Sequence, residues 1–446
     1  MQFTVGAVSL GCNKNQVDTE TALGLLKEKG YAFTANPRNA DILIVNTCGF
    51  IESAKEESID TILEMAAYKK TGRCRLLVVT GCLAQRYRDQ LMEEMPEIDL
   101  LLGVNQYQHL DEAIRQALAG HRLSLCQDDF HYFEHQRVLT TPPFTAYIKI
   151  GEGCSNRCSF CAIPDIRGPY RSRNEGAILQ EIRQLAEDGV KEHILVAQDT
   201  TRYGTDRQKH STLPSLIRSA ASIDGVSWVR VLYCYPDETS EELLDVLADT
   251  PHVCPYLDIP VQHINDAILR RMRRRGTSHD ILKCIRGARE RHLTLRTSLI
   301  VGFPGETEAQ FCELLDFVKE AQFDRLGAFM FSPEEGTPAA DMPDQIPEEI
   351  KQERFDRLMS LQQQISLKKN LNRIGSVENV LVTRSGDNIH EGIIFGRSQH
   401  EAPETDGDIV IRTDQTQIKP GEFISVRFTQ AEPYTLYGEI QSAMEE

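Results

Sequence analysis

Three closely spaced cysteines mark the segment of this sequence that is best suited to chemistry. Cys154, Cys158 and Cys161 are separated by three and then two residues, close to Gly151 and Gly153. A loop this compact can carry three thiolates to one face of an iron–sulfur cube, and its glycines permit the tight backbone turn. The loop lacks the fourth Cys or His of a structural zinc site, and its spacing differs from the C-x2-C-x2-C run of ferredoxins. We therefore predict a four-iron cluster with one iron open to a small molecule.

A second set of cysteines is dispersed through the amino-terminal region. Cys12, Cys48 and Cys82 each follow a short apolar run, and each lies next to a glycine. The carboxyl ends of parallel strands line the ligand crevice of an open α/β sheet, so positions of this kind converge in space. The alternative is three small buried residues near strand ends, because free cysteines are often buried. Since three such positions coincide, the sequence favours a shared site.

The elements that must position these dispersed cysteines alternate between strands and helices over residues 3–118. Short apolar runs predict strands, and apolar residues at helical spacing predict helices. The predicted strands are residues 4–10, 41–45, 76–80 and 100–103, and the predicted helices are residues 16–29, 52–69 and 85–95. Buried strands that alternate with helices are typical of an α/β domain with a doubly wound parallel sheet.

The compact cysteine loop belongs to a second series of strand–helix units, in residues 140–371. The predicted strands are residues 146–150, 193–197, 229–233, 256–259, 294–300 and 326–331, followed by a long helix at 347–373. A complete barrel has eight units, so six units favour a partial (β/α)6 barrel. Residues 119–139 are polar, contain scattered histidines and are predicted to be a linker. Short β-type runs separated by glycines predict a small all-β barrel in residues 372–443.

Composition and charge limit the possible function classes. The 446 residues suggest about two to four domains, and 41% hydrophobic with 26% charged residues excludes a disordered chain, a collagen or a coiled-coil rod. No stretch approaches the roughly 18 apolar residues that span a bilayer, and residues 1–10 show no secretory signal, so a cytoplasmic protein with no membrane partner is expected. A formal charge of −17 argues against a general nucleic-acid binder and favours a basic protein partner.

The compact loop resembles that of radical S-adenosylmethionine (SAM) enzymes. In that family the cysteine triad holds a 4Fe-4S cluster, and the fourth iron chelates the amino and carboxylate groups of SAM. One-electron reduction then cleaves SAM to a 5′-deoxyadenosyl radical. The resemblance implies cofactor contacts from Phe160 near the adenine, from Gln198 near the methionyl part, and from a turn that contains Gly302, Gly305 and Glu306.

The resemblance extends to both flanking regions. The region with Cys12, Cys48 and Cys82 resembles the methylthiotransferase domain, which carries a second 4Fe-4S cluster, and residues 396–398 and 402–407 resemble a TRAM domain. Two clusters and a TRAM domain together identify the methylthiotransferases, which insert sulfur into an unactivated C–H bond and methylate it. This resemblance implies that one SAM molecule methylates sulfur on the amino-terminal cluster and another supplies the radical. Radical hydrogen abstraction needs no general base, so no catalytic side chain is predicted.

Two methylthiotransferase subclasses compete as the closest match. One modifies a hypermodified adenosine beside the tRNA anticodon, and the other modifies the β-carbon of an aspartate in small-subunit ribosomal protein uS12. The segments that resemble the uS12 subclass are residues 9–15, 52–58, 198–201 and 332–337. The tRNA enzymes have a Gln-Met pair where this chain has Asn13-Lys14. Residues 375–446 carry 13 acidic and 5 basic side chains, and this net charge of −8 should repel RNA and attract a lysine-rich ribosomal protein.

Arginine-rich segments favour the tRNA alternative. Eight arginines lie in two segments, Arg167, Arg171 and Arg173 after the cysteine loop and Arg270, Arg271, Arg273, Arg274 and Arg275 further on. They could contact RNA, but exposure on a helix or pairing with the many acidic residues is the simpler interpretation. We therefore predict uS12 as the substrate, free or in the small subunit, with RNA contact only through the ribosome.

Further partners and the non-enzymatic alternatives follow from the same resemblance. A methylthiotransferase implies an electron-donating reductase and a sulfur donor. An iron–sulfur electron carrier and a zinc-stabilised RNA-binding scaffold are the alternatives, and iron analysis separates them from the enzyme. The remaining cysteines have no cluster spacing and are predicted to be small apolar core residues. They are Cys74, Cys126, Cys234, Cys254, Cys284 and Cys312.

Overall fold

A parallel sheet organises the amino-terminal domain. The computed structural model describes residues 2–128, 132–385, 392–413 and 417–441. The strands of this sheet are β1 (Thr4–Ser9), β2 (Ala32–Phe33), β3 (Ile42–Thr47), β4 (Leu76–Gly81), β5 (Leu100–Leu102) and β6 (Leu123–Leu125). The helices are α1 (Asn13–Glu28), α2 (Glu52–Thr71), α3 (Cys82–Arg86), α4 (Arg88–Glu94) and α5 (Leu110–Leu118). The strands are parallel in the order β2-β1-β3-β4-β5-β6.

The predicted doubly wound sheet is confirmed, and the helices cover both faces. Leu26 of α1 and Ile114 of α5 pack on one face, and Ile62 of α2 and Leu91 of α4 pack on the other. The structure adds the short edge strands β2 and β6, which lie outside the predicted strands. Strand β6 falls within the segment predicted to be a linker, because three residues without a long apolar run become a strand only by pairing with β5.

The central domain contains six parallel strands in chain order. They are β7 (Thr145–Lys149), β10 (Glu192–Val196), β11 (Trp228–Val231), β12 (Tyr256–Asp258), β13 (Thr294–Val301) and β14 (Arg325–Met330). They form two three-stranded sheets, β7-β10-β11 and β12-β13-β14, that are linked by a parallel bridge between Val229 and Val253. All six predicted strands and the partial-barrel fold class are therefore confirmed.

Short elements around the cysteine loop and longer helices complete this domain. The loop lies between the strands of a small hairpin, β8 (Gly151–Glu152) and β9 (Arg171–Ser172), and helix α6 (Ile163–Arg167) follows the third cysteine. The other helices are α7 (Glu175–Glu187), α8 (Leu213–Ala221), α9 (Glu241–Asp249), α10 (Asp266–Arg271), α11 (Ser278–Glu290), α12 (Glu308–Ala321) and α13 (Glu348–Leu371). One buried apolar cluster joins the six strands to these longer helices.

The carboxy-terminal region is a closed barrel, as predicted, and the structure shows five strands in it. Its strands are β15 (Val377–Ser385), β16 (Ile393–Arg397), β17 (Ile409–Arg412), β18 (Phe423–Ala431) and β19 (Leu436–Ile440), in the order β15-β16-β17-β19-β18. Residues 386–391, 414–416 and 442–443 of the predicted domain lie outside the described residues. Buried ion pairs join Glu192 of the central domain to Arg397 of the barrel (2.6 Å) and to Arg230 (2.9 Å). Among the described residues, every helix is too short or too polar to span a membrane.

The unassigned cysteines are core residues with one exception. Cys74, Cys126, Cys234, Cys254 and Cys284 are buried, as predicted. The prediction is wrong for Cys312, which is exposed on α12 with its thiol 3.5 Å from a Glu308 carboxylate oxygen. This thiol lies on the solvent side of an amphipathic helix, which the cysteine residue type alone does not reveal.

Candidate active site between two cysteine triads

Three neighbouring strands bring the dispersed triad, Cys12, Cys48 and Cys82, to one edge of the amino-terminal sheet. Strand β3 lies between β1 and β4, and each of these three strands ends just before one cysteine of the triad. Gly11 has a φ of +83°, and a Cβ atom there would lie 2.8 Å from the Cys48 thiol. The loops after β1 and β3 are therefore in direct contact, as predicted from their positions at the carboxyl ends of parallel strands.

Asn15 holds the three loops of the dispersed triad together. Its side-chain amide donates hydrogen bonds to the carbonyl oxygens of Leu10 (3.1 Å) and Thr47 (2.9 Å), at the ends of two strands. Its side-chain oxygen lies 3.6 Å from the Cys82 thiol, which follows the third strand. One buried side chain on α1 thus ties all three strand ends to one another.

The protein environment shifts the pKa values of these thiols in different directions. Burial raises the pKa of Cys48 to about 11, and the neighbouring Cys82 and Cys12 add to the rise. Burial likewise raises the pKa of Cys82, against the charge of Arg167. Desolvation opposes ionisation of Cys12 as well, but Lys14 and Arg167 outweigh it and lower the pKa of that thiol. Metal binding requires thiolates. Cluster assembly must therefore remove protons from Cys48 and Cys82, whose raised pKa values favour the protonated thiols.

The compact triad, Cys154, Cys158 and Cys161, lies in the loop that follows β8. Cys154 donates its backbone N–H to the Gly168 carbonyl (3.0 Å), and Cys161 donates to the Cys158 carbonyl (3.1 Å). Gly153 has a φ of +73°, and any Cβ atom there would collide with the carbonyl of Pro169. Burial and the nearby thiols raise the pKa values of Cys154, to about 11, and of Cys161.

Side chains from β11's end and from the segment after α10 approach the compact triad. The Tyr235 hydroxyl lies 3.7 Å from the Cys158 thiol, and an Arg274 guanidinium nitrogen lies 3.8 Å from it. Arg274 also stacks over the Tyr235 ring at 4.0 Å from its centre. Arg275 pairs with Glu238 and with Asp199 (3.2 Å). Two arginines of the basic run therefore face the site and its acidic neighbours, which supports pairing with acidic residues over a surface for RNA.

Each triad offers three free thiols, which are the donors that iron–sulfur clusters use. Among the described residues, no three His, Cys, Asp or Glu side chains are placed to hold one ion. A zinc ion needs its donors about 2.0–2.3 Å from a single point. Each thiolate of a four-iron cluster binds a different iron, so the ligands of a cluster stand further apart. Three thiols at each site therefore suit the predicted clusters.

The residues predicted to contact SAM fall into two groups. Gln198 and the nearby Asn156 each bury a side-chain oxygen that has no hydrogen-bond partner within the described residues, and such oxygens suit a ligand with N–H and O–H donors. Phe160 is half-buried against an apolar cluster that includes Ile268 and Phe303. These positions leave polar and aromatic groups at the carboxyl ends of the strands, where a cofactor would lie.

The predicted glycine-rich turn is held by the protein itself. Gly302 donates its backbone N–H to the Glu306 carboxylate, which also pairs with Arg354 (3.2 Å). Gly302 and Gly305 have φ values of +72° and +73°, and Cβ atoms there would overlap the side chains of Lys351 and Arg271. Packing alone explains both glycines, and contact of this turn with SAM stays a prediction.

A buried ion network connects the two triads, and the sequence analysis did not identify it. Arg167 donates to Glu152 (3.0 Å), to Asp18 (2.9 Å) and to the Asn15 side-chain oxygen (2.5 Å). Lys149 pairs with the same two carboxylates, at 2.6 Å from Glu152. Asp18 lies 149 residues from Arg167 in the chain, so local patterns carry no signal for this pairing.

Comparison with known domain families divides the chain into three parts. Residues 4–103 match the uncharacterized protein family UPF0004, residues 148–318 match the radical SAM superfamily, and residues 374–440 match the TRAM domain. These matches correspond to the amino-terminal domain, the central domain and the barrel.

Solved structures share the fold at low sequence identity. The radical SAM methyltransferase TsrM from Kitasatospora setae aligns with a TM-score of 0.57 and 16% identity, over 76% of this chain and 77% of TsrM. The cobalamin-dependent radical SAM enzyme OxsB aligns with a TM-score of 0.51 and 14% identity, over 81% of this chain and 56% of OxsB. These alignments show that the overall fold is shared.

Curated relatives match along the whole chain. The ribosomal protein uS12 methylthiotransferase RimO of Desulforamulus reducens is 49% identical over 98% of this chain and 99% of its own length. RimO of Clostridium botulinum strain Loch Maree is 47% identical, with 99% of each chain covered. RimO of Caldicellulosiruptor saccharolyticus is also 47% identical, over 98% of this chain and 99% of its own. With both cysteine triads, the barrel and this full-length identity in place, the chain belongs to the RimO family of radical SAM methylthiotransferases.

Proposed function

We propose that this protein inserts sulfur and a methyl group at the β-carbon of an aspartate in ribosomal protein uS12. The observation that carries the proposal is the 47–49% identity to uS12 methylthiotransferases over essentially the whole chain. This identity includes the amino-terminal domain and the barrel, which a generic radical SAM enzyme does not need. The tRNA alternative is not favoured, since these full-length relatives are uS12 enzymes.

We assign the two triads as ligands of two 4Fe-4S clusters. Cys154, Cys158 and Cys161 would hold the cluster that binds SAM, and the dispersed triad would hold the other. With both clusters and SAM bound, they supply reductive SAM cleavage at one site and sulfur for transfer at the other. The chain brings the two sites together through α6, which begins two residues after Cys161 and packs Ala162 and Ile166 on Cys82.

The central domain would orient SAM through side chains at the carboxyl ends of its strands. Asn156 donates to the Asp199 carboxylate (2.8 Å), which fixes the amide and leaves its oxygen free to accept from a ligand. Gln198, next to Asp199, offers a second unpartnered oxygen. We infer that these two oxygens accept hydrogen bonds from the SAM amino or ribose groups, and that Phe160 lies against the adenine.

Charge on the carboxy-terminal barrel supports a basic protein as the substrate. Some acidic side chains of the barrel have partners inside the protein. Glu401 pairs with Arg325 (2.8 Å) and Arg373, and Asp406 accepts a hydrogen bond from the Tyr256 hydroxyl (2.6 Å). The acidic side chains that stay exposed on the barrel and its loops include Glu404, Glu422, Glu432 and Glu439. These exposed carboxylates are the ones that would attract uS12.

The chemistry also requires partners that the chain does not contain. SAM cleavage consumes one electron, so we propose an electron-donating reductase. Sulfur that leaves with each product must be replaced, so we propose a sulfur donor. We place both encounters in the cytoplasm, where ribosomal proteins are made.

Mass spectrometry of uS12 and tRNA from a deletion strain tests the proposed substrate. We expect the target aspartate of uS12 to lose its methylthio group in the deletion strain and to regain it when the gene is restored. Methylthiolated adenosine in tRNA should be unchanged, which serves as the internal control. A deletion strain with normal uS12 and unmodified tRNA would refute the proposal.

A further inference from the structure

Arg167 is the charged side chain through which the central domain reaches the dispersed triad. It is the last residue of α6, is only 1% exposed, and has an ion-pair partner in each domain. Asp18 is contributed by α1 of the amino-terminal domain, and Glu152 by the β8 strand just before the compact triad. Lys149 completes a network of two cations and two anions that is closed to solvent.

Stability alone is a weak reason for such a network. Removing charges from water costs several kcal/mol per ion, and apolar side chains of similar volume often stabilise a protein as well or better. The network is compact because Lys149 and Arg167 share the same two carboxylates. A function that needs a buried cation at this place would explain why charges are kept here.

The geometry connects Arg167 to all three loops of the dispersed triad. Its guanidinium donates to the Asn15 oxygen that lies 3.6 Å from the Cys82 thiol. The amide nitrogen of Asn15 binds the carbonyl oxygens of Leu10 and Thr47, which precede Cys12 and Cys48.

We propose that Arg167 is a positioning residue by which the central domain sets the reduction potential of the iron–sulfur site in the amino-terminal domain. The inference rests on the proposed function, because it requires a cluster at the dispersed triad. A cation near a cluster favours the reduced form, which carries one more negative charge, and the low dielectric of the interior strengthens this effect. Because α6 carries Arg167, the amino-terminal cluster would reach its functional reduction potential only when the central domain is packed against the amino-terminal domain.

Two substitutions of opposite sign test the proposal in one background. The background is the Cys154→Ala/Cys158→Ala/Cys161→Ala variant of the full chain, reconstituted with iron and sulfide so that only the amino-terminal cluster is present. Arg167→Met removes the cation and should lower the midpoint potential in an EPR-monitored redox titration. Asp18→Asn removes an anion with little change of shape and should raise it. Arg167→Lys keeps the charge and should shift the potential less than Arg167→Met does.

Arg173 provides the matched control. Arg173 is also a buried arginine of the central domain. Its ion-pair partners are Glu134 (2.6 Å) and Glu181 (2.7 Å), which belong neither to the dispersed triad nor to the Arg167 network. Arg173→Met should leave the potential unchanged. The proposal would be overturned if Arg173→Met shifted the midpoint potential as much as Arg167→Met does. It would also be overturned if the cluster assembled but its midpoint potential stayed the same in both Arg167→Met and Asp18→Asn.

The outcomes separate this inference from the proposed function. If Arg167→Met does not fold or load iron, the near-isosteric Asp18→Asn variant decides the question by the presence or absence of an upward shift. If the background variant itself holds no cluster, the two-cluster assignment fails and the inference falls with it. If the background variant holds its cluster but neither Arg167→Met nor Asp18→Asn shifts the midpoint potential, the inference about Arg167 is overturned and the two-cluster assignment stands.

Discussion

The compact and the dispersed triad present three thiols each, but they are built in opposite ways. The compact triad lies within residues 154–161, and its backbone hydrogen bonds include one between Cys161 and Cys158. The dispersed triad depends on three strand ends, on Asn15, and on Arg167 from another domain. The compact loop needs one strand and its hairpin, whereas the dispersed triad needs three strands of the amino-terminal sheet, and Arg167 reaches it only when the central domain has docked. We therefore expect the dispersed triad to be the more sensitive to distant substitutions.

The largest expected effect separates the roles of the triads. Replacing Cys154, Cys158 and Cys161 by Ala should abolish SAM cleavage, and replacing the dispersed triad should abolish methylthiolation while SAM cleavage persists. The wild type should hold about eight irons and each triple variant about four. Iron analysis and chromatography of 5′-deoxyadenosine measure both. SAM cleavage in the compact-triad variant would show that the radical site lies elsewhere.

A buried contact between domains should be important for stability. Glu334 is 3% exposed, accepts from the first backbone N–H of α2 at Glu52 (3.0 Å), and pairs with Lys55 (3.3 Å). Its loss leaves α2 uncapped and Lys55 with Glu52 as its remaining ion-pair partner, so Glu334→Ala should lower the free energy of unfolding by about 2–3 kcal/mol. Denaturant titration measures this.

The adjacent Glu335 is the control for that prediction. It is exposed and binds the Tyr87 hydroxyl (3.1 Å), so Glu335→Ala should cost less than about 1 kcal/mol. Because α2 follows the Cys48 loop, Glu334→Ala should also reduce iron at the dispersed triad and spare the compact one. Equal losses from both variants would contradict the special role of Glu334.

A pair of glycines tests the close packing of the dispersed loops. Gly11 and Gly30 have nearly equal φ values of +83° and +85°, but a Cβ atom would clash with Cys48 only at Gly11. In both alanine variants, backbone strain should lower the free energy of unfolding by about 1–2 kcal/mol. Only Gly11→Ala should also lower iron at the dispersed triad. Identical iron contents in the two variants would show that the loops tolerate separation.

A further prediction concerns acid stability, away from both triads, and should leave their iron unchanged. Burial raises the pKa of Glu192, but Arg397 and Arg230 outweigh it and lower the pKa from its usual 4.5 to about 2. The carboxylate therefore contributes stability above about pH 4.5 that is lost as the pH falls towards 2. Glu192→Gln should lower Tm at pH 7, and the difference from wild type should shrink in acid. Exposed Glu432→Gln should change Tm little at any pH, and iron at either triad should stay constant.

Sequence patterns predicted most of the fold because most strands are continuous apolar runs. All six strands of the central domain were predicted, since each predicted run has at least three apolar residues and lies between helices with clear spacing. Strand β6 was not, because three residues at a sheet edge carry no periodic signal. The helix predicted at 85–95 became α3 and α4, with α3 starting at Cys82, because the Gly81 turn (φ +99°) leads directly into a helix.

The sequence by itself determined where thiols occur and what they resemble. The spacing of Cys154, Cys158 and Cys161 is a local property, and the positions of Cys12, Cys48 and Cys82 after apolar runs follow from strand periodicity. Only the tertiary structure decided which charges surround them. Arg167 is one of several arginines in the sequence, and one of its partners, Asp18, lies on a helix 149 residues away. Buried charges are compensated by whichever groups domain packing brings within about 3 Å, and no local pattern specifies that choice.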